Sequence, residues 1–197
     1  MAPELILAST SPTRQDLLRA ADVPFSAKAS HVDEAIIKGK MHGQSPATIA
    51  MALAEAKALA VSARHPAAIV LGADQTLDLD GALFDKPVSP HDARQQLKAL
   101  AGKTHILQTA AAFARQGEII WRCQRQARLT MRSPSDAFLD RYIASEGNGI
   151  TASVGGYKIE GPALQLFTEI DGCHFIILGL PLVELCAELR NLGVLDT

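Results

Sequence analysis

The hydrophobic pattern of this chain alternates between short continuous apolar runs and longer segments of helical spacing. Residues 5–8 and 67–73 are continuous apolar runs, which are typical of strands covered on both faces. Between them, Ser45-Pro46 begins a segment to about Arg64 whose apolar side chains recur on one stripe, as in a helix. Alternation of strand and helix signals predicts an α/β fold.

The second half of the chain adds turn signals to this pattern. Residues 104–114 and 118–131 flank Gln116-Gly117 and predict a long β-hairpin, and Asp78 to Gly81 predicts a tighter one. The remaining pattern predicts helices over 12–21, 90–101, 135–145 and 181–192, strands over 23–29, 163–170 and 173–178, and a glycine-rich loop over 147–161. We therefore expect a single α/β domain over residues 1–197 with a mixed sheet.

Composition narrows the function classes. The 197 residues include 48% hydrophobic and 20% charged residues with a formal net charge of −2, and no basic cluster supports nucleic-acid or membrane-surface binding. Three distant cysteines and six histidines show no zinc-binding spacing. We expect reduced thiols, no signal peptide, no transmembrane helix and a cytoplasmic location.

The first candidate site follows the first apolar run. Ser9-Thr10-Ser11-Pro12 ends the run, and Arg14 lies in the first turn of the predicted helix. Backbone N–H groups and the positive end of a helix dipole favour an anion there, and a guanidinium suits phosphate oxygens. The alternative is an ordinary capped helix, since Ser, Thr and Pro are common at such positions.

The second candidate is Asp74, at the end of the apolar run 67–73. Open α/β sheets place ligands at the exits of buried strands, although Asp is also common in turns and caps. The predicted hairpin at 78–81 would bring Lys86 back near Asp74.

Two further charged residues could join this site. Lys57 lies at the edge of an apolar helix stripe, where an ammonium needs an anionic partner unless the side chain reaches out to solvent. Glu34 follows Asp33 in a predicted loop, where a solvated acidic pair is the alternative. Carboxylates, lysines, an arginine and hydroxyls together are the groups that a magnesium-dependent phosphate enzyme uses.

A series of motifs over about residues 5–190 resembles the Maf family of nucleoside triphosphate pyrophosphatases in type and order. The motifs are Ser9-Thr10-Ser11-Pro12-Thr13-Arg14, Asp33-Glu34, Lys57-Ala58, Asp74-Gln75, Lys86-Pro87, Gly102-Lys103-Thr104-His105, Thr109-Ala110, Gly156-Tyr157-Lys158-Ile159-Glu160-Gly161 and Gly179-Leu180-Pro181-Leu182.

The resemblance implies roles for the candidate residues. Asp74 would be the catalytic base, or a metal-held carboxylate that orients water, and Glu34 would help to bind Mg²⁺ or Mn²⁺. The triphosphate would be held by four residues: Ser9, Arg14, Lys57 and Lys86. Water would attack the α-phosphate and release pyrophosphate, which needs charge neutralisation and a positioned water more than a protein nucleophile.

The resemblance also implies an architecture and an assembly. The fold would be an elongated, twisted mixed sheet in two lobes, as in inosine triphosphate pyrophosphatases, and the chain would form a homodimer.

Three positions bear on the choice of base: Thr13, Gln75 and Glu160. Family members that resemble 7-methyl-GTP pyrophosphatases have Trp, Gln and Glu there, whereas those that resemble dTTP/UTP pyrophosphatases have Arg, Thr and Gln. Two of the three positions match the first type, but Thr13 cannot stack on a cationic base as an indole could. The resemblance therefore implies a 7-methyl-GTP-like substrate. The alternatives are a dTTP/UTP pyrophosphatase, or a nucleotide-binding regulator of septum formation without significant turnover.

Overall fold

The computed structural model describes residues 3–196 and contains seven strands and seven α-helices in those residues. The strands are β1 (Leu5–Leu7), β2 (Ser26–Ala27), β3 (Ile69–Leu79), β4 (Ala82–Phe84), β5 (Thr104–Arg115), β6 (Glu118–Met131) and β7 (Phe167–Asp171). The helices are α1 (Pro12–Ala20), α2 (Glu34–Lys40), α3 (Pro46–Ser62), α4 (Pro90–Leu100), α5 (Asp136–Glu146), α6 (His174–Ile177) and α7 (Leu182–Asn191).

The strands form one mixed sheet in the order β2-β1-β3-β5-β6-β7, and β4 pairs with β3. β1 is parallel to β2 and β3, whereas β3 with β4 and β6 with β7 are antiparallel. The prediction of an α/β fold with a mixed sheet is confirmed.

The chain divides into two compact units. The first contains the described parts of 1–75, 108–126 and 173–197, and the second contains 76–107 and 127–172. Strands β3, β5 and β6 each have residues in both units. The prediction of one domain over 1–197 is not tested by this division.

The first unit is built on a close backbone contact between α3 and β3. A Cβ atom on Gly72 would lie 2.1 Å from the carbonyl oxygen of Ala54 and 2.6 Å from the amide nitrogen of Ala58. Only glycine allows the strand and the helix to approach this closely. The contact therefore fixes the residues that follow Gly72 relative to those of α3.

In the second unit, α4 and α5 are joined by charged side chains at their surface. Arg94 of α4 donates to Asp136 at 3.0 Å and to Asp140 at 2.9 Å, both on α5. The predicted tight turn is present at Asp80-Gly81, where both residues have positive φ, as a two-residue hairpin turn requires.

Two 3₁₀ turns, Gly147–Thr151 and Val154–Gly156, lie in the predicted glycine-rich loop. A third 3₁₀ turn, Pro162–Leu166, occupies the start of the predicted strand 163–170.

Three local predictions are wrong. Residues 173–178 do not form a strand, because His174–Ile177 is a short helix; a brief apolar run does not distinguish the two structures. Glu34 is not in a loop, because it is the first residue of α2, whose N-cap Asp33 accepts a hydrogen bond from the amide of Ile36 at 3.1 Å. Asp74 is not at the exit of a strand, because β3 continues to Leu79.

Candidate active site

Lys57, Asp74 and Glu34 form one cluster of ion pairs in the first unit. The Lys57 Nζ atom lies 2.5 Å from Oδ1 of Asp74 and 2.7 Å from Oε1 of Glu34. Lys57 is 8% exposed and Asp74 is 6% exposed, whereas the side chain of Glu34 is about half exposed. The ammonium at the edge of the apolar stripe thus has two anionic partners, which such a buried position requires.

Two local features position the three side chains of this cluster. Lys57 precedes Ala58, and Asp74 follows Gly72 by two residues, so the close contact of α3 with β3 sets these two side chains side by side. Asp33 caps α2 and thereby fixes Glu34 at its first turn. A carboxylate in that turn also faces the positive end of the helix dipole.

Arg14 lies within electrostatic reach of the same cluster. Its Nη1 donates to the Ala73 carbonyl at 2.9 Å, and its Nε donates to the Gly179 carbonyl at 3.1 Å. Burial lowers the pKa of Arg14, and the charges of Asp74 and Glu34 oppose this by raising it. An arginine with a lowered pKa is still a cation near neutral pH, so the side chain offers a fixed positive charge beside two carboxylates.

The predicted anion site at the start of α1 is partly occupied by its own serines. Ser9 Oγ accepts from the amide of Ser11 at 3.2 Å, and Ser11 Oγ accepts from the amide of Arg14 at 3.5 Å as the N-cap of α1. Two of the backbone N–H groups near the helix start therefore already donate to serine hydroxyls. The capped helix that the sequence left as the alternative is present, and anion binding there stays a prediction. Ser9 and Thr13 are both partly exposed.

Gln75 is held by a network that the sequence did not indicate. Its Nε2 donates to Thr109 Oγ1 at 2.8 Å and to the carbonyls of Ile176 at 2.8 Å and Ile177 at 3.1 Å. Thr109 is fully buried and donates to the Ile176 carbonyl at 2.8 Å, so its oxygen accepts from Gln75. Acceptors surround the amide nitrogen, which fixes the orientation of the amide. The only sequence signal was the Thr109-Ala110 motif, to which no role was attached.

The structure brings some candidates together and places others in the second unit. Glu34, Lys57 and Asp74 are in contact, with Arg14 close by. The hairpin expected between Asp74 and Lys86 is present in β3 and β4, but Lys86 itself is an exposed residue of the second unit. Glu160 is also an exposed residue of the second unit.

The donor set suits a hard cation better than zinc. Oxygens of Asp74 and Glu34 both contact Lys57 Nζ, so these two oxygens lie within about 5 Å of each other. Between residues 3 and 196, no group of three or more His, Cys, Asp or Glu side chains could hold a metal ion. Mg²⁺ is commonly bound by one or two carboxylates with phosphates and water, and two carboxylates are what the cluster offers.

Fold and site define the class of this protein: an α/β protein that gathers two carboxylates, a lysine and an arginine into one partly buried cluster. Residues 4–192 match the family model described as Maf-like protein. The chain belongs to the Maf family, as its motifs predicted.

Two relatives align over nearly the whole chain. A Maricaulis maris protein named nucleoside triphosphate pyrophosphatase is 47% identical over 191 residues, which are 97% of each chain. A Brucella abortus protein named 7-methyl-GTP pyrophosphatase is 44% identical over 198 residues, which are 100% of each chain.

Among solved structures, a HAM1 protein from Coxiella burnetii has a TM-score of 0.42 and 16% identity, covering 68% of this chain and 75% of its own. No helix within residues 3–196 is long and apolar enough to cross a membrane.

Proposed function

We propose that this chain is a nucleoside triphosphate pyrophosphatase that hydrolyses its substrate to the monophosphate and pyrophosphate. The names of the relatives support the enzyme class. The single observation that carries the site assignment is the buried contact of Lys57 with both Asp74 and Glu34. A cation and two carboxylates in one cluster supply both the charge neutralisation and the proton acceptor that hydrolysis of a phosphoanhydride needs.

Asp74 is the proposed general base. Its carboxylate is nearly buried and held by Lys57, so its orientation is fixed when water approaches. Ser9, Arg14, Lys57 and Lys86 are the proposed ligands of the triphosphate. Of these, Arg14 has its fork anchored on two backbone carbonyls, which lowers the entropy lost when it meets a phosphate.

Asp74 and Glu34 would hold a divalent metal, Mg²⁺ or Mn²⁺, which when bound would neutralise charge on the phosphates. We expect activity to be lost in excess EDTA and restored by either ion, with no stoichiometric zinc in the purified protein. Full activity in EDTA would contradict the requirement for a metal ion, and stoichiometric zinc would contradict the proposal that the ion is Mg²⁺ or Mn²⁺.

For the nucleotide base of the substrate, we propose a preference for 7-methyl-GTP over dTTP and UTP. Glu160 offers only acceptors, which suit the N1–H and N2–H₂ donors of guanine and the positive charge of its methylated ring. Gln75 supports the same choice, because its amide nitrogen is already engaged and its oxygen is the part left for a ligand. Uracil and thymine present carbonyl oxygens on both sides of one N–H, which a carboxylate disfavours.

The test is release of pyrophosphate from a panel of canonical and 7-methylated nucleoside triphosphates. We expect Glu160→Gln to narrow the preference for 7-methyl-GTP by roughly 10- to 150-fold, the value of one charge-assisted hydrogen bond. Greater efficiency on dTTP or UTP in the wild type would overturn the base assignment. Nucleotide binding without turnover of any substrate would overturn the proposed pyrophosphatase activity and favour the alternative of a nucleotide-binding regulator.

A further inference from the structure

Two residues of the sequence motifs have no role in the proposed reaction, and they meet in the second unit. His105 ends the motif that begins at Gly102, and Tyr157 is the aromatic residue of the Gly156–Gly161 motif. His105 Nε2 lies 2.6 Å from Tyr157 Oη, a hydrogen bond in which the tautomer decides the donor. Both residues are buried, and Nδ1 of His105 has no hydrogen-bond partner within residues 3–196.

The chain around Tyr157 is shaped to receive its ring. A Cβ on Gly155 would lie 2.7 Å from Tyr157 Cε1 and 2.7 Å from Leu77 Cδ1, and Gly155 has a φ of +74°. Any other residue would be strained there and would displace the ring. Phe167 packs edge-on against Tyr157 with ring centroids 4.9 Å apart. The turn at Gly155 and the ring of Tyr157 therefore depend on each other.

The same segment is tied at two further points and then leads directly to Glu160. Tyr142 donates its hydroxyl to the Gly156 carbonyl at 3.1 Å, and Ser153 donates to the Tyr157 carbonyl at 2.7 Å. Ile159 is buried, whereas Glu160 is exposed within a turn in which the Gly161 amide donates to the Lys158 carbonyl at 3.2 Å. Glu160 thus projects from a turn whose two preceding anchors, Tyr157 and Ile159, are in the core.

We propose that the hydrogen bond between His105 and Tyr157 fixes the segment 155–161 and so orients the Glu160 carboxylate toward the nucleotide base. The proposal rests on the proposed role of Glu160. His105 and Tyr157 are positioning residues for base discrimination and do not themselves contact substrate. Without their hydrogen bond, the turn that carries Glu160 samples more orientations. The directional contact of Glu160 with the base then loses more binding free energy than the contacts with the phosphates do.

The first variant is Tyr157→Phe, which keeps the ring and removes the hydroxyl. Its matched control is Thr130→Val, which removes the 2.9 Å hydroxyl contact with Thr104 in the same unit and leaves the segment untouched. We expect amide hydrogen exchange over residues 153–161 to rise by about tenfold or more in Tyr157→Phe and to stay unchanged in the control.

The second readout is substrate discrimination. We expect the ratio of kcat/KM for 7-methyl-GTP to that for UTP to fall roughly 3- to 10-fold in Tyr157→Phe. The change should lie in KM, with kcat within about twofold of the wild type, because the phosphate-binding residues are untouched. His105→Gln keeps a hydrogen-bonding group and should retain discrimination, whereas His105→Leu should lose it.

Unchanged exchange in folded Tyr157→Phe overturns the proposal, and so does faster exchange with unchanged discrimination. Glu160→Gln separates this proposal from the proposed function. If that variant discriminates as well as the wild type, the base assignment is wrong. If it loses discrimination and Tyr157→Phe does not, the base assignment stands and the positioning role is wrong.

Discussion

Lys57 in the first unit and His105 in the second are both buried polar groups, but they are accommodated in opposite ways. Lys57 forms ion pairs with Asp74 and Glu34. The imidazole of His105 has only Tyr157 as a hydrogen-bond partner in the described chain, and burial lowers its pKa to about 4. Burial also raises the pKa of Tyr157, so both members of that pair are neutral near pH 7.

The contrast indicates that the two groups of residues have different functions. Burial of charged groups is costly unless each charge has a partner, and the first cluster supplies the charged groups of the proposed reaction. A neutral buried pair has little electrostatic reach but gives a fixed geometry. We therefore expect changes in the first cluster to affect turnover, and changes in the second to affect base discrimination and the pH dependence of stability.

The largest effect should come from Asp74→Asn. Asn keeps the shape of the side chain but cannot accept the proton of water, so kcat should fall by roughly 10²- to 10⁴-fold while nucleotide binding is retained. Steady-state pyrophosphate release measures kcat, and calorimetry measures binding. The matched control is Asp78→Asn on the same strand, since Asn can still accept from the Gly81 amide. Near wild-type turnover in folded Asp74→Asn would refute the role of general base.

The next effect concerns the backbone contact beneath the ion cluster. Gly72→Ala forces a Cβ against the backbone of α3, and we expect the free energy of unfolding to fall by about 3 kcal/mol or more. Urea denaturation measures it. Gly39→Ala is the control, because nothing lies within 4 Å of that Cβ on α2 and alanine favours a helix. Equal stability of both variants would show that the close approach at Gly72 is not required.

The neutral pair predicts a dependence of stability on pH. The folded pKa of His105 is about 4 and its ordinary value is 6.5, so below pH 6.5 the unfolded chain binds a proton that the folded chain excludes. Stability from this group is therefore full above pH 6.5 and is lost as the pH falls toward 4, by up to about 3 kcal/mol.

His105→Gln removes this titration. Urea denaturation at pH 7, 5.5 and 4.5 should show a smaller loss of stability for the variant than for the wild type over the same interval. Parallel loss in both proteins would contradict the neutral burial of His105.

The smallest effect concerns the Gln75 network. Thr109→Val removes a donor to the Ile176 carbonyl and an acceptor for Gln75, and we expect a loss of about 1–2 kcal/mol in unfolding free energy. Thr168→Val, at an exposed hydroxyl that donates to the Thr130 carbonyl, should change stability by less than about 0.5 kcal/mol. If the two variants lose the same stability, the network is not structurally important.

Much of the fold could be predicted because the periodicity of the hydrophobic residues and the positions of the turn-forming residues agree with the tertiary structure. The hairpin of β5 and β6 falls around Gln116-Gly117 as expected, since both residues adopt the positive φ of a two-residue turn. The start of α3 was marked by Ser45-Pro46, and α4 begins at Pro90 as expected.

The failures came where tertiary contacts override local signals. Within the predicted strand 173–178, residues His174–Ile177 are helical. The carbonyls of Ile176 and Ile177 accept from Gln75, which lies 101 to 102 residues away in sequence and which no local pattern indicates. Strand β3 continues through Asp74 to Leu79, beside β5 and, at its last three residues, paired with β4. The end of the apolar run therefore did not mark the end of the strand.

The candidate site was predictable in its residue types more than in its geometry. The position of Lys57 at the edge of an apolar stripe called for an anionic partner, and the structure supplies Asp74 and Glu34. The capped helix given as the alternative is present at Ser11. No pattern indicated that Ser9 accepts from the amide of Ser11, or that Gly72 sets the contact of strand and helix. The homodimer and the cytoplasmic location stay predictions.

The central claim is that water attacks the α-phosphate at the cluster of Lys57, Asp74 and Glu34. Hydrolysis of a preferred nucleoside triphosphate in ¹⁸O-labelled water, followed by mass spectrometry of the products, tests it directly. The account predicts one ¹⁸O atom in the nucleoside monophosphate and none in the released pyrophosphate. For Asp74→Asn, it predicts almost no labelled monophosphate after the same reaction time. Label in the pyrophosphate, release of orthophosphate with a diphosphate, or undiminished labelling in Asp74→Asn would contradict it.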